Sequence, residues 1–413
     1  MMKACETGHV YVSRCKVAGG DDQRRSKMKP QRNIKIAIIG SRGIPAKYGG
    51  FETAVEAVAP RLAEMGWNVV VSCEGSRAQG KPAVYKGVNL FYFPVRPFFR
   101  VIYEVLYDVY SLVKASLMCR CIYMLGYGAG LFFFLSKLFR KKLVVNVDGL
   151  EWKREKFNKP ERFILLASER AAVTFADVIV ADSREIKKYI EGRYKKKAVY
   201  ITNGVNAPRL EKWDEQKLGS QGLLKDAALL PNGYWLAVAR LEPENNIHVI
   251  VESFLKSDSR KRLVIIGNFS SERYRRHISQ ILEHSNAGQR IILTGAIYDV
   301  SLLNMLRQNC FACIHGHSVG GTNPALLEAM SMKNLIIAHD NEFNREVGGQ
   351  TMLYFKNAGD LAAKIDEIEN KPDSFADLKE AAYSRVLSNY SWEDIVQEYD
   401  ELFQSICPER IRT

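Results

Sequence analysis

The chain has 413 residues, 47% of them hydrophobic and 25% charged, with a net charge of +13. Those values describe a globular protein large enough for two domains and exclude a low-complexity or collagen-like chain. The positive excess favours anionic partners, but no basic run interleaved with aromatics argues for nucleic acid.

Residues 1–32 hold 8 basic and 3 acidic side chains. They lack the apolar stretch of a secretory signal, so they are expected to be a disordered or mis-started extension outside the fold. The 8 cysteines are scattered, which predicts a reducing cytoplasm. Ile34–Ile39 reads as the first strand. The glycine-rich turn Gly40-Ser41-Arg42-Gly43-Ile44-Pro45 follows it. Tyr48-Gly49-Gly50-Phe51-Glu52 then opens a helix that runs to Met65 and stops at Gly66. Trp67–Ser72 and Val88–Phe93 are the next strands. Between them Gly75–Pro82 imitates a P-loop, but Pro82 stands where Ser or Thr must hold magnesium, so an exposed turn is expected. Cys121–Ser136 is uncharged but spans only 16 residues, broken by Gly126, Gly128 and Gly130. A spanning helix needs about 20. A strand Cys121–Leu125 and a helix Leu131–Phe139 are expected instead. Leu143–Val147 leads into Asp148-Gly149, Val178–Ala181 into Asp182-Ser183, and Val199–Ile201 into Asn203-Gly204. Asp182 and Ser183 are suited to cap a helix Arg184–Glu191.

Residues 206–233 are polar and irregular, with Pro208, Gly219, Gly222, Pro231 and Gly233. A second alternation then begins, with strands at Tyr234–Ala239, Leu263–Ile266, Ile291–Leu293, Cys310–Ile314 and Leu335–Ala338. The expected architecture is α/β, with a first domain at 33–205, a second at 206–391, and a segment 392–413 whose helix Trp392–Ile406 packs back on the first.

Strand, glycine turn and helix N-terminus together form an anion site, because free N–H groups and the helix dipole face the ligand. The first loop lacks dinucleotide-fingerprint spacing, and Glu74 lies 34 residues past Gly40 rather than about 20. Glu52 is placed to take a sugar hydroxyl or to stabilise its helix end. The second loop, His315-Gly316-His317-Ser318-Val319-Gly320-Gly321-Thr322-Asn323-Pro324, has a good N-cap in Asn323 and a first-turn proline. Glu328, one turn inside that helix, is placed to accept bonds from a ribose diol. Arg240 ends a strand where open α/β sheets bind ligands, so it is placed to grip a diphosphate or to pair with Glu242 or Glu244. Asp148 is a candidate base, acceptor contact or helix cap. Cys310, Cys313, His315 and His317 invite a metal reading. Strand alternation would point the two thiols to opposite faces and no second CxxC follows, so no metal is expected and the histidines read as ligand contacts.

Arg240, the Gly320-Gly321 loop and Glu328 resemble a retaining GT-B glycosyltransferase of family 4. The stretch Gly40–Thr53, Asp148-Gly149-Leu150-Glu151-Trp152-Lys153-Arg154, Asn203-Gly204-Val205 and His315–Pro324 are similar to a bacterial subgroup that includes rhamnosyltransferases of surface-polysaccharide assembly. The resemblance implies two Rossmann-like domains with parallel sheets facing a central cleft. It implies retaining transfer from a nucleoside diphosphate-sugar to a saccharide or lipid-linked acceptor, without metal or cofactor. It assigns Glu328 to ribose, Arg240 to the diphosphate, and Gly49 and Gly50 to the phosphates and acceptor. Two departures stand out: Gly320 occupies the place of a family glutamate, and Asn245 and Asn246 that of a lysine. The expected catalytic residues are Arg240, Asp148 and His317, with Lys47 lending charge. The expected donor contacts are Gly49, Gly50, Asn245, Gly320, Gly321, Thr322, Asn323 and Glu328. The expected acceptor contacts are Glu52, Glu151 and Arg154. The implied location is the cytoplasm, at the inner membrane face. Lys137–Arg162 holds 9 basic and 4 acidic residues beside Leu131-Phe132-Phe133-Phe134 and suits anionic lipid. The alternatives are a nucleotide-sugar epimerase of the same plan or a non-catalytic membrane-surface binder of nucleotide-sugar. A nicotinamide oxidoreductase is disfavoured by the glycine spacing.

Overall fold

A computed structural model describes residues 32, 34–46, 49–75, 80–96, 100–154, 157–219, 224, 228–283, 285 and 290–408. The expected N-terminal extension, Lys47 and most of the P-loop-like turn lie outside these residues.

Short β-branched runs build two sheets. The first contains β1 (Lys35–Ile39), β2 (Asn68–Glu74), β3 (Val84–Tyr85), β4 (Val88–Phe93), β5 (Cys121–Leu125), β6 (Lys142–Asn146), β7 (Val178–Ala181) and β8 (Ala198–Tyr200). Their order is β3-β4-β2-β1-β5-β6-β7-β8. All pairings are parallel except β3 with β4. The second contains β9 (Tyr234–Val238), β10 (Arg262–Ile266), β11 (Ile291–Gly295), β12 (Ala312–His315), β13 (Ile336–His339) and β14 (Leu353–Phe355), in the order β11-β10-β9-β12-β13-β14 and wholly parallel.

Parallel strands are covered on both faces, so their sequences are apolar throughout rather than alternating. In β1, Ile36 and Ile38 enter a core with Val55, Leu62, Trp392, Ile395 and Phe403. Ala37 and Ile39 enter the opposite core with Leu112, Ala115, Val173 and Ile186. Full burial of one such isoleucine contributes roughly 1.5–3 kcal/mol. The helix Trp392–Ile406 therefore completes the first domain's core. Polar bonds fix it there: Trp67 Nε1 donates to Asp400 Oδ1 at 2.6 Å, and the Tyr123 and Tyr399 hydroxyls meet at 2.7 Å. The two connections between the sheets run side by side, with Val205 N donating to Tyr390 O at 2.8 Å.

Three local expectations need correction. The helix placed at Leu131–Phe139 is a 3-10 turn, Gly130–Phe132, followed by the short helix Phe134–Leu138. Ser183 alone caps the helix Arg184–Tyr194, its side chain accepting from Ile186 N at 3.1 Å. Cys310 lies ahead of β12, so strand alternation does not govern it, and its Sγ sits 3.5 Å from that of Cys313. The two thiols share one side, contrary to the geometric argument used against a metal. No group of three or more potential metal ligands occurs among the described residues.

Candidate functional site

The second domain supplies one wall. β9 and β12 are adjacent, with Ala312 beside Trp235 and Cys313 beside Leu236. The turns leaving them, Arg240–Asn246 and Gly316–Asn323, therefore emerge side by side at the carboxyl edge, where open α/β sheets bind ligands. Asn245 ties the two together. Its Nδ2 donates to Arg240 O at 2.7 Å, and its Oδ1 lies 2.8 Å from His317 Nδ1. The first bond fixes the amide orientation, so Nδ1 of His317 carries the proton and Nε2 keeps its lone pair. Ser318 N also donates to Glu244 O at 2.9 Å, and Asn246 Nδ2 to Gly316 O at 2.8 Å. Burial, then His315 and the Arg154 and Arg240 guanidinium groups, push His317 well below the ordinary histidine range. It is a neutral imidazole with an open acceptor nitrogen. His315 is also buried, pushed down to about 4 by burial and then His339.

Arg240 is 46% exposed at its side chain and lies 3.6 Å from Glu242 Oε1, so the ion pair weighed as an alternative does form. Asn323 caps the helix Pro324–Ser331, accepting from Ala325 N at 2.9 Å. Glu328 lies on that helix and pairs with Arg307. At Gly320, where φ is +146°, an added Cβ would meet His317 Nε2 at 2.8 Å. The histidine ring thus fills the space beside the position where the resembling family carries a glutamate.

The first domain supplies the facing wall. Gly49, with φ +120°, precedes the helix Gly50–Glu64, and a Cβ on Gly50 would approach Pro324 at 3.6 Å. Two helix N-termini, one from each domain, thus abut. Glu52 is buried, and its Oε1 accepts from Arg42 N at 2.8 Å, closing the first loop. Glu74 lies on β2, 3.9 Å from Arg42 Nε. Asp148 adopts φ +48°, its N–H bonded to Asn146 Oδ1 at 2.8 Å. Glu151 and Arg154 pair with each other at 2.7 Å. The segment is pinned from behind by Glu169, which accepts from Trp152 Nε1 at 3.1 Å, Tyr189 OH at 2.7 Å and Tyr194 OH at 2.6 Å. Burial opposes the Arg154 cation, but Glu151, Asp148, Glu244 and Glu242 more than offset it.

The walls touch through backbone. A Cβ on Gly149 would come 3.0 Å from Gly320 Cα, and one on Gly321 would fall 1.9 Å from Asp182 Oδ1. The side chain of Thr322, expected among the donor contacts, joins the domains. It is buried, its Oγ1 donates to Asp182 O at 2.7 Å, and Thr202 Oγ1 lies 2.8 Å away. Asn203 Nδ2 donates to Thr322 O at 3.0 Å. Asp182 was read only as a helix cap. Burial, then Asp148 and Glu346, raise its carboxyl well above the usual range. It shares with Asp148, Asn146 and Asn203 a cavity of about 20 Å³, room for one water. The structure therefore brings Arg240, Asn245, His317, Gly320, Gly321, Gly49, Gly50, Asp148 and Arg154 to one interdomain seam. Glu52 is turned to loop support and Thr322 to the domain contact.

Two Rossmann-like sheets facing each other across such a seam define the GT-B fold. Residues 230–385 match the family of glycosyl transferases group 1, and residues 33–206 match a domain of unknown function, DUF1972. The match over the second domain supports a glycosyltransferase. A probable sucrose-phosphate synthase of Thermosipho melanesiensis is 25% identical over 287 residues, which are 62% of this chain and 63% of the relative. The chain thus spans less than two thirds of the length of that curated relative. Among solved structures, a sucrose-phosphate synthase of Thermosynechococcus elongatus superposes with a TM-score of 0.76 at 18% identity, over 90% of this chain and 98% of the other. HepE of Anabaena in complex with UDP-glucose gives 0.72 at 17% identity, over 90% and 100%.

Proposed function

We propose that the protein is a retaining glycosyltransferase. It moves a sugar, with rhamnose the first choice, from a nucleoside diphosphate-sugar to a saccharide or lipid-linked saccharide of surface-polysaccharide synthesis. The observation that carries this reading is the meeting of the Gly49-Gly50 and Asn323-Pro324 helix N-termini beside Arg240. Two positive dipole ends and a guanidinium suit a diphosphate, and they suit it best as a departing dianion. Glu328 then takes the ribose. His317 Nε2 accepts from a donor-sugar hydroxyl, and Asp148 orients the acceptor hydroxyl. The leaving phosphate takes the acceptor proton, so no protein nucleophile and no metal is required. The seam excludes water and limits hydrolysis. A structurally related protein was solved with UDP-glucose, which supports a nucleotide-sugar donor here. The test is a thermal-shift screen of UDP-, GDP- and dTDP-sugars, followed by hydrolysis and transfer assays. At least one donor should stabilise the fold, and Arg240→Ala should lower its kcat about 10²–10³-fold. Stabilisation by none, or an unchanged rate, refutes the reading. Turnover without any acceptor would favour the epimerase.

The lipid-linked acceptor is supported by a surface patch. Leu131, Phe132, Phe134, Leu138, Phe163 and Ile164 are exposed, with Arg140, Lys159 and Arg170 exposed on the same segments. No helix among the described residues is long and apolar enough to cross a membrane. An apolar surface with a basic rim suits peripheral contact with an anionic leaflet at the inner membrane face. Vesicle sedimentation should show binding that needs anionic lipid and weakens with salt. Equal binding to neutral vesicles would refute the contact.

A further inference from the structure

The carboxylate assigned to the ribose is held by an arginine from the neighbouring helix. Arg307 lies on the helix Val300–Gln308 and is buried, while Glu328 keeps a third of its side chain exposed. The Arg307 Nη2 meets Glu328 Oε2. An unpaired buried guanidinium costs several kcal/mol, so the pair is strongly maintained. Its backbone is fixed as well: the Arg307 carbonyl accepts from Cys310 Sγ at 3.1 Å and Asn334 Nδ2 at 2.7 Å. Cys313 Sγ in turn donates to Asn334 Oδ1 at 3.2 Å. The guanidinium is thus a rigid clamp on one carboxylate oxygen, leaving the partly exposed side of Glu328 for a ligand.

We propose that Arg307 is a positioning residue for nucleotide recognition. It fixes the rotamer of Glu328, so that the carboxylate faces the pentose hydroxyls of a nucleoside diphosphate. The proposal rests on the donor site described above. Because the carbonyl bonds belong to the backbone, side-chain substitutions address the ion pair alone.

The test is calorimetric. Binding of UDP, GDP and dTDP is measured first, then the tightest of the three is compared with its 2′,3′-dideoxy counterpart. The wild type should prefer the hydroxylated nucleotide at least tenfold. Arg307→Met should erase most of that preference, and Arg307→Met combined with Glu328→Gln should be no worse than Glu328→Gln alone. Arg307→Lys, which keeps the buried charge if the methionine variant fails to fold, should retain binding with reduced discrimination. A purely structural role would lower Tm and leave the hydroxyl preference intact. Undiminished preference in either folded variant overturns the positioning role. A wild type that binds nucleotide without preference overturns the ribose role of Glu328. A wild type that binds none of the three overturns the donor site itself.

Discussion

The two walls of the seam are built on different principles. In the second domain, adjacent parallel strands deliver Arg240 and His317, and neutral amides hold them: Asn245 bridges the two turns. In the first domain, carboxyl side chains take that part. Glu52 closes the loop of Arg42, Glu151 pairs with Arg154, and Asp182 stays buried with its carboxyl raised. The second-domain wall is thus pre-organised largely by its own backbone, whereas the Arg154 cation of the first domain is matched by Glu151 and Asp148 and, across the seam, by Glu244 and Glu242.

The sharpest way to break this contrast is at the contact between Gly321 and the buried Asp182 side chain. Gly321→Ala would drive a methyl into Asp182, a clash that no rotamer of Gly321's replacement relieves. The substitution should reduce transfer at least 100-fold, while nucleotide binding to the second domain weakens far less. Steady-state kinetics beside calorimetry would check it, and a parallel loss of both would show that the walls do not act separately.

A smaller effect is expected from His317. Its lowered pKa keeps the ring neutral as pH falls through 6.5, so kcat should show no inflection there and decline only at more acidic pH. His317→Ala should cost about 10²-fold in kcat, in the range of a lost positioned acid–base or hydrogen-bonding group. Stability carries the opposite side of the same linkage. The unfolded chain protonates first, so acidification below about 6.5 costs up to about 1.4 kcal/mol per pH unit for each such buried histidine. Denaturation curves at pH 7.5 and 5.5 would measure it, and His317→Gln should remove its share of the difference while that of His315 remains. A wild-type inflection in kcat near 6.5 would mean that the imidazole is not shielded as described.

Much of the strand framework was legible because β-branched runs end in glycine or asparagine, as at Ile36–Gly40 and Ile201–Gly204. The cap at Asn323 followed from residue type alone. The missed features depend on tertiary partners. Nothing local announces that Glu52 folds back on Arg42, that Thr322 bonds across the seam, or that Arg307 clamps Glu328 over 21 positions of sequence. β12 begins at Ala312, two residues later than the apolar run implies, so Cys310 and Cys313 share a side rather than taking opposite faces. Strand boundaries depend on hydrogen bonding to neighbours, which a single sequence does not display.

The central claim is that a diphosphate binds at the edge of the seam where the two helix N-termini meet, within reach of Arg240. A crystal structure of the protein with the tightest-binding nucleoside diphosphate tests it most directly. The account predicts phosphate oxygens within hydrogen-bonding distance of Arg240 and of backbone N–H groups at Gly49–Gly50 or Gly320–Asn323, with the pentose against Glu328. Density for the nucleotide on any surface away from that seam, with Arg240 and Glu328 untouched, would contradict it.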